Sequence, residues 1–239
     1  MTTLYIVAPP IGNLEDITLR ALRILKEVDV ILCEDTRVTK RLLARYGIST
    51  PTESFHARSE KSKVHKAIKL LEEGKNLALV SDAGTPTISD PGVLLVSQIR
   101  EHFSKVRLWT EAIPRSHFGI QIVPIPGASA VISALSASGI PASEFLFLGF
   151  LPHKKGRETL FKEIAAAKRT VAFYESPHRI IKTLKSLVTH IPERKLVIAR
   201  ELTKIHEEFV SGTSAELLDY FDKNKEKIRG EFVVIVSPR

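Results

Sequence analysis

The stretch LALVSDAGTPTISDPG, from Leu77 to Gly92, decides the fold because it joins a buried strand to a tight loop. Its first four residues form a short apolar run, which is typical of a strand covered on both faces. In the loop, Gly84 can adopt a positive φ, and Pro86 and Pro91 fix φ and lack a donor N–H. Open α/β sheets bind ligands at the carboxyl ends of their strands. The stretch therefore predicts a small-molecule site at the end of a central strand.

Two other apolar runs lead into similar loops. The run from Leu4 to Ala8 is followed by two prolines, and the run from Ile120 to Ile125 is followed by PGASA, where a helix begins. Small residues let the amides of a helix N-terminus approach a ligand closely. Strands and helices alternate along the chain, which predicts an α/β fold with mostly parallel sheets. Closely spaced strands after residue 195 indicate some antiparallel pairing.

The segment SASGIPAS, residues 136–143, is small, turn-rich and poorly periodic, which is typical of a domain boundary. We therefore predict an N-terminal α/β domain at residues 1–138, carrying the central loop, and a C-terminal α/β domain at residues 139–239.

Local patterns give further expectations in the N-terminal half. Asp16 is a candidate N-cap for a helix whose apolar residues begin at Leu19. After the central loop, a helix is expected over residues 93–101. Residues 102–120 have no clear period, and we expect an irregular excursion there with a short strand at residues 106–109.

Composition limits the class of protein. The chain has 239 residues, 44% of them hydrophobic, a net charge of +8 and a pI near 9.6. This charge suits a polyanionic partner such as RNA, and equally an ordinary basic protein. The single cysteine, Cys33, excludes an internal disulfide and fits a reducing compartment. No apolar segment has the length of a membrane span, and the N-terminus lacks a signal-peptide pattern, so we predict a cytoplasmic protein with no membrane partner.

The common α/β signatures are missing. The sequence has no G-x-G-x-x-G, no P-loop and no G-x-S-x-G motif, which argues against Rossmann dinucleotide, P-loop NTPase and α/β-hydrolase functions. Its eight histidines show no metal-ligand spacing, so we predict no metal. The loops that follow several strands are rich in small residues, so they can hold a ligand through backbone amides but carry little charge. Such loops suit a zwitterionic cofactor better than a triphosphate.

Taken together, eight ordered motifs are specific. They are VAPPIGNLEDITLRA, CEDTR, LVSDAGTPTISDPG, VPIPGASA, LGFLPHKKGR, FYESPHR, ARELTK and GEFVVIV. Along essentially the whole chain they resemble the bacterial 16S ribosomal RNA cytidine 2′-O-methyltransferases of the tetrapyrrole-methylase superfamily. The resemblance implies a homodimeric S-adenosylmethionine-dependent methyltransferase with two α/β domains and the cofactor cleft between them. The implied reaction methylates the ribose 2′-hydroxyl of a decoding-site cytidine in 16S rRNA, on the assembled small subunit.

The resemblance also implies the residues that contact the cofactor. They are Gly84, Ile88, Ser89, Ser129, Ala130, Tyr174 and Ala199. Precorrin methylases of the superfamily typically carry Gly-Asp-Pro in the central loop, where this chain has Gly84-Thr85-Pro86, and this difference favours the RNA branch. Another difference from the family pattern is the long excursion at residues 102–120.

Methyl transfer requires positioning of two reactants and, for a weakly acidic hydroxyl, a possible base. Glu175 is the leading candidate for the base, ahead of Asp35 and Glu201, while Arg200 and Lys204 could stabilise developing alkoxide charge. For each carboxylate the alternative is a salt bridge or loop anchor. The basic residues expected to contact RNA phosphates are Arg37, Lys40, Arg41, Lys154, Lys155, Arg157 and Arg179.

Two other functions stay open on the sequence. One is a methylase of a tetrapyrrole or another small molecule. The other is a non-catalytic RNA-binding or ribosome-assembly factor that retains the fold.

Overall fold

A computed structural model of the chain describes residues 2–55, 60–90, 92–109 and 119–239. The chain forms two compact units, Met1–Ser129 and Ala130–Arg239. This division lies nine residues before the boundary that the sequence predicted between residues 138 and 139, so the helix between the two positions belongs to the second unit.

In its described part, the first unit is a five-stranded sheet with helices on both faces. The strands are β1 (Thr3–Val7), β2 (Val30–Cys33), β3 (Thr52–Ser54), β4 (Leu77–Val80) and β5 (Gln121–Ile125). The helices are α1 (Leu19–Glu27), α2 (Thr36–Arg45), α3 (Glu60–Glu72) and α4 (Gly92–Trp109). The strand order is β3-β2-β4-β1-β5, and every pairing is parallel, as the sequence predicted.

The central strand β4 is buried on both faces, which explains its unbroken apolar run. Leu77 and Leu79 pack in a cluster with residues of α3 and α4. Ala78 and Val80 point to the other face and pack with residues of α1 and α2. This alternation follows from the two-residue period of a strand.

Strands β1 and β4 are neighbours, but their chains leave the sheet in opposite directions. The chain after β1 enters α1 on one face, and the chain after β4 enters α4 on the other. Such a topological switch point leaves a crevice at the carboxyl ends of the two strands, where doubly wound sheets bind ligands. The central loop identified from the sequence begins at this point.

The second unit is a mixed sheet with helices on it. Its strands are β6 (Phe145–Phe150), β7 (Thr170–Glu175), β8 (Leu196–Arg200), β9 (Glu208–Gly212) and β10 (Phe232–Val236). Its helices are α5 (Ala130–Ser138), α6 (Arg157–Ala166), α7 (Ile180–His190) and α8 (Ser214–Lys223). The order is β6-β7-β10-β8-β9, in which only β6 and β7 pair in parallel. The antiparallel pairing predicted after residue 195 is therefore confirmed. The expectation of a mostly parallel sheet was wrong for this half of the chain, because three of the four described pairings are antiparallel.

Helix α5 contacts β7, β8 and β10, which places it in the second unit. The helices α6, α7 and α8 pack with apolar residues of the same sheet to form the core, which is centred on large side chains such as Phe173 and Phe221.

Three local expectations were wrong. The N-cap of α1 is Thr18, whose Oγ1 accepts the Ala21 N–H at 3.1 Å, while Asp16 lies in a preceding 3₁₀ turn. Helix α4 continues to Trp109, so the strand expected at residues 106–109 is not formed. Its apolar face extends past the expected end because Phe103 continues the spacing of the buried residues before it. The short edge strand β3 was not predicted.

The rest of the predicted excursion, residues 110–118, lies outside the described residues.

Candidate functional site

Three loops of the first unit pack closely at the carboxyl end of its sheet. Gly84 has a φ of +73°, and a Cβ there would lie 3.3 Å from Cγ2 of Ile11 in the loop after β1. Thr85 Oγ1 donates a hydrogen bond of 3.2 Å to the carbonyl oxygen of Ala128, in the loop after β5. Gly127 lies still closer to the first loop, because a Cβ on it would be 2.9 Å from Cβ and from the carbonyl oxygen of Ala8. Small residues are therefore required for these loops to meet.

The central loop contains strained backbone. Thr87 and Ser89 have φ values of +75° and +67°, in the left-handed region that side chains disfavour. Such a conformation costs on the order of 1–3 kcal/mol and persists where the surroundings enforce it, commonly at functional sites. Asp90 supplies that enforcement: its Oδ1 accepts the Gly92 N–H at 2.7 Å, and it receives backbone hydrogen bonds from Thr87 and Ile88. Burial raises the pKa of this carboxyl above its usual range.

A chain of carboxylates links the ends of β2 and β4. The Asp82 N–H donates to Glu34 Oε2 at 3.2 Å, and the Asp35 N–H donates to Asp82 Oδ1 at 3.0 Å. Burial raises the pKa of Glu34, and the negative charges of Asp82 and Asp90 add to the effect. Asp35 behaves differently, because its hydrogen bonds with Arg37 lower its pKa to about 2. Its Oδ1 also accepts the Arg37 N–H as the N-cap of α2, which is the loop-anchoring alternative for this residue.

The predicted cofactor residues of the first unit lie on two of these loops. Gly84 is buried at the loop contact, while Ile88 and Ser89 are exposed on the strained segment. Ser129 is half-buried at the end of the loop after β5. The structure thus places them at the switch point of the first sheet.

The predicted cofactor residues of the second unit form a group on one face of its sheet. Tyr174 in β7 and Ala199 in β8 both pair in register with Val233 of β10, so their side chains lie on the same face. The Tyr174 hydroxyl accepts a hydrogen bond from the Val131 N–H in the first turn of α5, next to Ala130, and burial raises the pKa of this tyrosine. The ring of Tyr174 also packs edge-on against a neighbouring phenylalanine, with centroids 4.9 Å apart. These contacts fix the tyrosine ring against the start of α5.

Glu175, the leading base candidate, is fully buried and fully engaged. Its Oε1 accepts the Ser176 N–H at 2.9 Å and lies 2.7 Å from Arg179 Nη2. Its Oε2 accepts the Thr183 hydroxyl at 2.6 Å and lies 3.7 Å from Arg157 Nη2. These contacts match the anchoring alternative for this carboxylate. Sequence reasoning missed Thr183, because its only signal is a position eight residues later, on the helix that follows β7.

Arg200 and Lys204, the predicted alkoxide stabilisers, are also paired. The Arg200 guanidinium is nearly buried and lies 3.3 Å from Glu208 Oε2. Lys204 Nζ lies 2.8 Å from Glu201 Oε1 and 2.9 Å from Glu231 Oε2. Burial lowers the pKa of Lys204, but its hydrogen bonds with the two carboxylates outweigh this and the net pKa is raised. The loop between Arg200 and Lys204 has strained backbone at Glu201, where φ is +50°.

The predicted RNA contacts separate into two groups. Arg37, Lys40 and Arg41 on α2 are exposed, as are Lys154 and Lys155 in the loop before α6. The other two, Arg157 and Arg179, hold their guanidinium groups inside the second unit, with side chains only 9% and 15% exposed. The buried arginine at position 157 therefore does not offer its charge to a phosphate in this structure, contrary to the prediction.

Within the described ranges, no group of three or more histidine, cysteine, aspartate or glutamate residues could hold a metal ion, and no helix is long and apolar enough to cross a membrane.

Comparison with known proteins assigns this chain to a family. A family model described as tetrapyrrole (corrin/porphyrin) methylases matches residues 3–218. The ribosomal RNA small subunit methyltransferase I of Thermotoga maritima is 45% identical over 237 residues, covering 99% of each chain. The protein of the same name from Bacillus subtilis is 44% identical over 240 residues, which cover 99% of this chain and 75% of the relative.

Among solved structures, a uroporphyrin-III C-methyltransferase from Thermus thermophilus, complexed with S-adenosylhomocysteine, has the same fold. Its TM-score is 0.61 at 18% identity, and the match covers 98% of this chain and 97% of that one. The likeness extends over both units. Because the family model covers most of the chain and relatives about 45% identical span nearly all of it, this protein belongs to the tetrapyrrole methylase family.

Proposed function

We propose that this protein transfers a methyl group from S-adenosylmethionine to the ribose 2′-hydroxyl of a decoding-site cytidine in 16S rRNA, on the assembled small subunit. The observation that carries the proposal is the near-full-length similarity to the Thermotoga maritima small-subunit rRNA methyltransferase, at 45% identity. The ordered motifs of the sequence support the same branch of the family.

The loops of the first unit fit the cofactor. The three loops that meet at Gly84 contain no lysine or arginine, so they lack the charge that a triphosphate requires. They offer a small-residue cradle, and the nearby carboxylates of Glu34 and Asp82 favour a ligand with a cationic sulfonium. In the proposed complex, Gly84, Ile88, Ser89 and Ser129 contact the cofactor, together with Ala130, Tyr174 and Ala199 of the second unit. When bound, S-adenosylmethionine supplies an electrophilic methyl group.

Thr85 supports the RNA branch through its hydrogen bond. Its hydroxyl donates to the Ala128 carbonyl oxygen at 3.2 Å. An aspartate, which precorrin methylases typically carry here, would place a carboxylate that cannot donate against that carbonyl oxygen. The loop contact in this chain therefore depends on a donor at position 85.

The chain's own contribution to the reaction is chiefly positioning. Holding the ribose oxygen about 3–3.5 Å from its target in the correct direction can supply a large part of the rate acceleration. Arg200 and Lys204 remain proposed stabilisers of alkoxide charge. Since both residues are ion-paired with carboxylates, each would have to leave its partner before it could stabilise the alkoxide. A lower single-turnover rate in Lys204→Met or Arg200→Met tests this role.

Exposed basic residues are the proposed rRNA contacts. Arg37, Lys40 and Arg41 are exposed on α2, and Lys154 and Lys155 lie on the loop before α6. Each phosphate neutralised by such a residue would make the affinity for the subunit fall with salt. The same proposal places the enzyme in the bacterial cytoplasm as a homodimer, and sedimentation at micromolar concentration tests the dimer.

Labelled methyl transfer tests the proposal against its alternatives. We expect purified protein to label unmodified 30S subunits and to leave free precorrin unlabelled. If precorrin became labelled and the 30S subunits did not, RNA would be refuted as the substrate. Calorimetry with S-adenosylmethionine addresses the non-catalytic alternative, since an absence of binding at high micromolar cofactor would contradict any methylase.

A further inference from the structure

The cluster around Glu175 connects to the loop that carries two of the exposed lysines. Arg179 Nη1 donates to the Leu151 carbonyl oxygen at 2.8 Å, and Arg157 Nη1 donates to the Pro152 carbonyl oxygen at 3.1 Å. Two successive carbonyls directly after β6 are therefore held by guanidinium groups that also contact the Glu175 carboxylate.

An exposed basic segment follows the carbonyl groups of Leu151 and Pro152. Residues 153–156 are all exposed and include Lys154 and Lys155. Gly156 ends the segment with a φ of +81°, and the next residue, Arg157, begins α6. The segment is thus fixed at one end by the two carbonyls and at the other by an arginine that belongs to the same cluster.

The burial of Glu175 separates its carboxylate from any substrate proton. A general base must reach the proton that it removes, directly or through one water. The Glu175 side chain is 0% exposed, and each of its oxygens already accepts a hydrogen bond from the protein. Thr183 strengthens the cluster from α7, because its hydroxyl donates to Glu175 and accepts from Arg157 Nη2 at 2.6 Å.

We propose that Glu175 is a positioning residue, which acts through Arg157 and Arg179 to hold residues 151–156 in the conformation that presents Lys154 and Lys155 to rRNA phosphates. The proposal rests on the proposed function, since it takes the ribosomal subunit as the partner. It assigns the buried arginines to loop geometry and the exposed lysines to binding.

A double-mutant cycle tests the proposal with unmodified 30S subunits. Glu175→Gln keeps the shape of the side chain but removes the negative charge that the two guanidinium groups share. We expect it to raise the KM and Kd for 30S by an amount approaching that of the Lys154→Ala/Lys155→Ala variant, with kcat retained. The salt dependence of log Kd should fall by about 2 in the double-lysine variant, one for each lost phosphate contact. The variant that combines Glu175→Gln with the two lysine substitutions should bind 30S no more weakly than the weaker binder of the two parent variants, because both parents lose the same phosphate contacts.

A matched control and a conformational readout accompany the cycle. Glu158→Gln removes one carboxylate from the exposed side of α6, where Glu158 contacts only His190 among the described pairs, and should leave the affinity for 30S unchanged. Trypsin should cleave after Lys154 or Lys155 faster in the Glu175→Gln variant than in the wild-type protein, because the loop is released.

The outcomes separate this proposal from the proposed function. If the wild-type protein methylates 30S but Glu175→Gln lowers the single-turnover rate without changing Kd, Glu175 is a base and the positioning role is overturned. Unchanged affinity in the double-lysine variant also overturns it, and that variant changes only exposed residues, so it stays informative if Glu175→Gln fails to fold. If the wild-type protein neither binds nor methylates 30S, the proposed function itself fails.

Discussion

The contact between Gly127 and Ala8 makes a sharp test of the cofactor site. A Cβ at position 127 would lie 2.9 Å from both Cβ and the carbonyl oxygen of Ala8, closer than real contacts allow. Because one of these atoms is backbone, the loops after β1 and β5 must separate in Gly127→Ala. Overpacking of this kind costs about 1–3 kcal/mol. If that energy is lost from cofactor binding, the Kd for S-adenosylmethionine rises by a factor of about 5 to about 150.

Calorimetry with S-adenosylmethionine and S-adenosylhomocysteine measures this effect, and Gly74→Ala is the matched control. Gly74 follows α3 at the opposite end of β4, with a φ of +89°, and a Cβ added there would meet no atom within 4 Å. Alanine there is strained by about 1–2 kcal/mol, which lowers stability without displacing the loops at the carboxyl end of the sheet. Only Gly127→Ala should lose cofactor affinity. Equal cofactor affinity in Gly127→Ala and the wild-type protein, with both folded, would refute the role of the loop contact.

Three other predictions follow from charge. Because the pKa of Glu34 is raised in the folded state, the folded protein binds more protons than the unfolded chain between the ordinary pKa and the raised one, and stability falls as pH rises through that window. Glu34→Gln should therefore raise the melting temperature at pH 7 but not below about pH 4.3. Equal gains at both pH values would contradict this. The pKa of His190 is raised, first by its hydrogen bond with the Ser186 carbonyl and then by Glu158, so its stabilisation is complete below about pH 6.5 and is lost as pH rises through the folded-state value. Denaturant unfolding from pH 5.5 to 8.5 should show the advantage over His190→Gln shrinking, and a constant difference would exclude this source. Lys40→Ala should lower the salt slope of 30S binding by about 1, while Lys225→Ala, an exposed lysine outside the proposed contacts, should not.

The architecture of the first unit could be predicted because local sequence and tertiary packing agree there. The four apolar residues of β4 read directly as a strand covered on both faces, and the structure places α3 and α4 on one face and α1 and α2 on the other. The glycines and prolines after the strand predicted a tight loop, and Gly84 indeed has a positive φ. The end of α4 was missed although Phe103 continues the four-residue spacing of Leu95 and Ile99, because residues 102–120 taken together show no clear period.

The site residues were harder to assign because their roles depend on contacts between distant segments. A carboxylate at a strand end, such as Glu175, looks the same in sequence whether it faces substrate or a pair of arginines. Arg157 likewise reads as one more basic residue beside Lys154 and Lys155, yet it is buried and they are exposed. The backbone strain at Thr87 and Ser89 and the role of Asp90 in holding it have no sequence signature beyond a turn-rich composition.

The most direct test of the central claim is the identity of the methylated atom. Unmodified 30S subunits would be incubated with the protein and S-adenosylmethionine, and the 16S rRNA would then be digested to nucleosides and measured by mass spectrometry. We expect one new 2′-O-methylcytidine per subunit, located in the decoding site, and none when S-adenosylmethionine is omitted. Methylation confined to a base ring, or an unmodified 16S rRNA beside a methylated tetrapyrrole, would contradict it.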